Sequence, residues 1–116
     1  MPHMLLIVEP VGQREERGVE LGKRVYQQML DFTEELKKAG VLMATSSLAT
    51  AATRLQRPEG AASRLLDGPF AEAKEMVGGF FLLNVATREQ ALEWAARCPA
   101  VAWATVEVRE TGPCYT

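Results

Sequence analysis

The sequence predicts an α+β domain spanning residues 1–116: one antiparallel sheet with two helices on one face and an extra hairpin. Three observations predict it. Segments of strand length are interleaved with two segments of helical period. Two of the strand segments, Met4–Val8 and Met76–Val85, are apolar on both alternating sets, the mark of central strands. Turn residues, with Pro58-Glu59-Gly60 foremost, separate further short arms.

The elements follow in order. His3–Glu9 reads as a strand, with Met4, Leu6 and Val8 on one face and Leu5 and Ile7 on the other. Residues 10–18 are polar, contain Pro10, Gly12 and Gly18, and read as a loop. Leu21, Val25, Met29, Phe32 and Leu36 then fall on one helical stripe. Gly22 weakens the start of that helix, so its firm part is expected after this residue. Lys37 and Lys38 suit its C-terminal dipole, and Gly40 suits a left-handed end. Val41–Leu48 reads as a strand. Thr50–Arg57 and Ala62–Asp67 read as hairpin arms, and Asp67–Phe70 as a turn in which Gly68 takes positive φ and Pro69 fixes its own. Met76–Val85 is the strongest strand. Thr87 and Gln90 form a capping box for the helix bearing Ala91, Leu92, Ala95 and Ala96, which Pro99 ends. Trp103–Arg109 alternates as a last strand, and the tail from Gly112 is expected to fray.

This order is β-α-β-(hairpin)-β-α-β, the ferredoxin-like plan. Two helices cover one face of such a sheet. The other face, carrying Phe80 and Leu82 or their alternates, would expose a large apolar patch in a monomer, so a second copy packed sheet against sheet is the simplest cover.

Composition narrows the function. The net charge of −2 argues against nucleic acid as a partner. The run Met4–Val8 is too short for a signal peptide or a membrane span, so a cytoplasmic protein that does not engage the membrane is expected. Cys98 and Cys114 have no zinc or CxxC spacing, and a reduced pair is the expectation. No cofactor signature is present, and no tightly bound metal is expected, since the carboxylates show no ligand spacing and the single histidine, His3, stands near the terminus.

The segments DGPFAEAKE from Asp67, the following GGF strand, REQALEWAARCPA, TVEVRE and FTEELKKAGVLMA resemble the DGPF group of the YCII-related proteins. The resemblance is most specific over Asp67–Gly79. It implies a ferredoxin-like domain that dimerises as an α+β barrel in a mostly uncharacterised family. Broader members carry a histidine and an aspartate in a cleft, and a few relatives act on small organic substrates. The first helix here has no histidine, so that pair is not carried over, and Asp67 remains as its counterpart.

The candidate site residues have two readings each. Asp67 either accepts turn amides or shares in a ligand site. In the run Glu72, Lys74, Glu75, alternating charge suits a solvated surface; alternatively Lys74 holds an anion while Asp67 or Glu75 moves a proton. Gly78 and Gly79 mark either a bulge or close backbone approach, or an opening for a ligand. Glu9 is either an exposed strand-end charge or a pocket carboxylate. Arg54, Arg57 and Arg64 are either solvated or a small anion cluster, and Cys98 is a small packed residue. Together these predict a homodimer that binds a small anionic organic molecule, with isomerase- or lyase-like proton transfer as its possible chemistry; the alternative is a non-catalytic interaction or regulatory module.

Overall fold

A computed structural model describes residues 1–68, 70 and 73–115. Pro69 of the predicted turn, Glu72 of the charged run and Thr116 of the tail lie outside the described residues. The elements are β1 (His3–Pro10), α1 (Gln13–Arg17), α2 (Val19–Lys38), β2 (Leu42–Ser47), β3 (Thr53–Gln56), β4 (Arg64–Asp67), β5 (Glu75–Leu83), α3 (Arg88–Arg97), a 3-10 turn (Pro99–Ala102) and β6 (Thr105–Glu110).

The main sheet runs β2-β5-β1-β6, all neighbours antiparallel, and β3-β4 form a separate hairpin. This is the ferredoxin-like order with an added hairpin. β1 and β5 are central, as two-sided apolarity requires. Their helix-facing residues Leu5, Ile7, Phe81 and Leu83 are buried with Phe32 and Leu36 of α2 and Ala91 and Ala95 of α3. Phe32 meets Phe81 edge to face, with centroids 5.2 Å apart. Met4, Leu6, Phe80 and Leu82 stand half-buried on the other face.

Local signals are realised where chemistry is local. The Thr87 hydroxyl accepts from the Gln90 amide at 3.1 Å, and Gln90 Oε1 accepts from the Thr87 amide at 3.2 Å, completing the capping box. Gly40 takes φ 72°, and Gly60 takes φ 74° in the hairpin turn closed by Ala61 N–H to the Pro58 carbonyl. Both cysteines are free; burial raises the Cys98 thiol above its ordinary value, against a smaller lowering by the Ala100 backbone, so it packs rather than attacks. Among the described residues no helix is long and apolar enough to cross a membrane.

Four expectations need correction. Residues 10–18 are not a continuous loop: Gln13–Arg17 make a turn and a half of helix between Gly12 (φ 89°) and Gly18 (φ 82°). Its residues are all polar and none is buried, so periodicity could not reveal it. α2 starts at Val19, ahead of Gly22, where added substituents would meet open space. β6 starts at Thr105 because Pro99 opens a 3-10 turn that takes up the residues before Trp103. Gly68 does not take positive φ. Its N–H donates to the Ala52 carbonyl at 2.7 Å, and a Cβ there would meet that oxygen at 3.2 Å, so close backbone approach is what favours glycine.

The β3-β4 hairpin stands away from the body. Every residue from Met43 to Gly68 is exposed, with Leu55 and Leu65 a cross-strand pair. The Cα radius of gyration is 16.2 Å, against about 13 Å for a compact chain of this length.

Candidate functional site

The site begins with a defect in the sheet. Ile7 pairs with Gly79 and Val8 with Val77, so Gly78 is the extra residue of a bulge. A Cβ on Gly78 would overlap Glu9 Oε1 and lie 2.7 Å from Glu9 Cδ. The missing side chain is therefore the space that the Glu9 carboxylate fills. Gly79 has a different reason: its Cβ would meet the Ser46 carbonyl of β2 at 2.9 Å.

Glu9 is 2% exposed. That corrects its reading as a solvated strand-end charge, and the cause is Arg14. The arginine donates Nη2 to Glu9 Oε1 at 2.6 Å and Nε to Oε2 at 3.1 Å, a two-pronged ion pair. It also donates Nη1 to the Leu48 carbonyl at 2.7 Å and Nη2 to the Gly78 carbonyl at 3.3 Å. One guanidinium thus ties the end of β1, the exit of β2 and the bulge of β5.

Three residues on, one turn further along α1, Arg17 points to the same side. Its guanidinium stacks over the Trp103 ring at 4.7 Å from the centroid. Arg17 Nη2 donates to Gln13 Oε1 at 3.1 Å, and Gln13 Nε2 donates to the Trp103 carbonyl at 2.7 Å.

These groups border a cleft of about 500 Å³ between α2 and the β1-β5-β2 part of the sheet. Its helical wall carries Gly22, Val25, Tyr26, Met29 and Leu30, and its far rim Thr45, Ser46 and Ser47. The size and mostly apolar lining with a few convergent polar groups are those of a small-molecule site. Among its described lining residues the charged ones are Glu9, Arg14 and Arg17, so two guanidiniums face one carboxylate and the cleft is net positive by one.

The structure brings Glu9, Gly78 and Gly79 together at this cleft and places the other candidates elsewhere. Asp67 is exposed at the end of β4, where Oδ1 accepts from the Thr53 hydroxyl at 2.6 Å. Lys74 is exposed, and its carbonyl accepts from Val11 N–H at 2.9 Å. Glu75 is exposed and lines a second, wider hollow on the helix-free side with Val8, Val77 and Phe70. Arg54 stacks on Phe70 at 3.8 Å from the ring centroid. His3 is 3% exposed, with Nδ1 lacking a hydrogen bond among the described residues. It stands six residues before Glu9 on one strand, about 20 Å away, so it cannot join the cleft. No group of three or more His, Cys, Asp or Glu among the described residues is arranged to hold a metal.

Sequence reasoning missed Gln13, Arg14, Arg17 and Trp103. The available signal was two arginines spaced i, i+3 between Gly12 and Gly18, just after a strand ending in glutamate.

Fold and site together define a ferredoxin-like α+β domain with a mostly apolar cleft of net positive charge beside the Glu9–Arg14 ion pair. A YCII-related domain matches residues 1–113. The chain belongs to the YCII-related family. No curated protein matches it.

Proposed function

We propose that this chain binds a small anionic organic molecule in the cleft between α2 and the sheet, acting as a pair of identical chains. The observation that carries the reading is the cleft's uncompensated positive charge beside apolar walls. An anion entering it gains an electrostatic partner, and an organic body gains the side of α2 to lie against. Binding is favoured over proton transfer because Glu9, the carboxylate lining the cleft, already accepts from Arg14 through both oxygens. Any acid–base step here falls to Glu9. Asp67, Lys74 and Glu75 are given no part in it, since none of them lines the cleft. A cytoplasmic setting suits the two free thiols.

A thermal-shift screen of small carboxylates tests the site. Ligands at a hundredfold excess over Kd stabilise by about 2.7 kcal/mol. That stabilisation is expected in the wild type and equally in Asp67→Asn/Lys74→Ala, and it should vanish in Gly22→Leu, which fills the cleft from α2. The reverse pattern moves the site to the turn.

Pairing is supported by the apolar residues of the helix-free face, Met4, Leu6, Phe80 and Leu82, with Val77 45% exposed beside them. Sedimentation equilibrium at micromolar concentration should return twice the chain mass of 12.8 kDa. A single-chain mass removes the pairing.

A further inference from the structure

We infer that Arg17, held on the face of Trp103, receives the anionic head of the ligand, and that the ligand is a monocarboxylate with an apolar body. This rests on the cleft being the ligand site, and it adds which group recognises what. The two cleft arginines are not equivalent. Arg14 is fully engaged, with both Glu9 oxygens and two main-chain carbonyls as acceptors. Arg17 has no carboxylate partner among the described residues and makes one hydrogen bond, to Gln13. Most of its five N–H donors therefore remain open.

The guanidinium is also set in place before any ligand arrives. The indole bounds it on one side, with the guanidinium carbon 4.7 Å from the ring centroid. Gln13 links it to the main chain of the same tryptophan. A group ordered in advance loses little freedom on binding. The open fork matches a carboxylate through two parallel bonds. A single surplus positive charge in the cleft matches a monoanion and leaves a phosphate dianion under-compensated. On the α2 side the wall carries Val25 and Met29, one helical turn apart, so the part of the ligand that lies against the helix is apolar.

The chain has two tryptophans, and Trp94 lies against Phe32 and Arg97 rather than in the cleft lining. Trp94→Phe therefore leaves Trp103 as the single indole reporter. In that background, phenylacetate, its neutral amide phenylacetamide, hexanoate and phenyl phosphate are titrated by fluorescence and calorimetry. Phenylacetate and hexanoate are expected to change Trp103 emission on binding, with the amide and phenyl phosphate at least tenfold weaker than phenylacetate. Arg17→Gln should weaken the carboxylates tenfold or more and leave the amide unchanged. Should that variant fail to fold, Arg17→Lys reads the same point: it keeps the charge, loses the fork, and should weaken the carboxylates about threefold with the amide unchanged. If the Arg17 variants keep full affinity and full preference for carboxylate over amide, the anion is held elsewhere; Arg17 is then excluded while the cleft reading stands. If amide or phenyl phosphate binds as well as phenylacetate, the monocarboxylate assignment falls. If none of the four binds, the inference falls together with the cleft reading.

Discussion

Gly78→Ala is expected to destabilise the domain by about 3 kcal/mol, the cost of pulling a buried carboxylate off its partner. The added methyl would occupy the place of Glu9 Oε1 and lie 2.7 Å from Glu9 Cδ and 2.9 Å from Arg14 Nη2. A clash with the tip of a side chain is usually cheap because the tip swings away. Here it cannot swing, since both carboxylate oxygens are held by Arg14 and the residue is 2% exposed. Accommodation means either moving the carboxylate off its partner or closing the bulge. Closing the bulge shifts the register of β5 by one residue and turns its apolar set to the wrong face. Gly22→Ala is the internal contrast. That glycine sits in α2 with nothing near its absent side chain, so alanine should stabilise by about 0.5–1 kcal/mol. Urea midpoints at constant slope measure both changes. A wild-type midpoint for Gly78→Ala would mean that the carboxylate does not occupy the bulge.

The parts of this molecule legible in its sequence are those fixed by pattern or by neighbours. Two-sided apolarity marked Met4–Val8 and Met76–Val85 as central strands, and from there the sheet order follows with little freedom. The Thr87–Gln90 box and Gly40 are contacts within a turn of chain, where residue type and geometry are nearly the same statement. The cleft is of another kind. Arg14 reaches Glu9 over five residues, but its further bonds go to Leu48 and Gly78, which only the folded sheet brings near. Gln13 meets Trp103 across ninety residues. The helix that aims these side chains is five residues of QREER, with no apolar period to betray it.

Single residues show the same limit. Glycine at 78 and 79 pointed either to a bulge or close approach or to an opening for a ligand, but not to what stands there, and the two answers differ: a carboxylate for one, the β2 main chain for the other. Glu9 looked solvated because a charge at a strand end usually is. It is buried because its counter-charge folds over it. Asp67 stood out through the turn it opens, and its contact in the fold is the Thr53 hydroxyl across the hairpin.

Arg14→Met should be the most damaging side-chain truncation at the cleft, costing about 3–5 kcal/mol of the roughly 5–15 kcal/mol that holds a domain of this kind together. The two partners are unequal: the Glu9 side chain is 2% exposed and that of Arg14 32%. Removing the arginine takes both hydrogen-bond donors from a carboxylate that is 2% exposed in the fold. It also leaves the Leu48 carbonyl without the guanidinium's hydrogen bond, loosening the join between β2 and the rest of the sheet. Removing the carboxylate's charge is milder. Glu9→Gln leaves an arginine that can turn partly to solvent and still bond the Leu48 carbonyl, so the expected loss is about 1–3 kcal/mol. The double variant Glu9→Gln/Arg14→Met buries no charge and should be more stable than Arg14→Met alone, a coupling that a double-mutant cycle reads directly. Urea denaturation of the four proteins gives the numbers. If Arg14→Met does not fold, folding of the double variant establishes the same inequality. A loss below about 1 kcal/mol for Arg14→Met, in the range of an exposed pair, would show that water reaches the carboxylate and that the pair does not anchor the three strands.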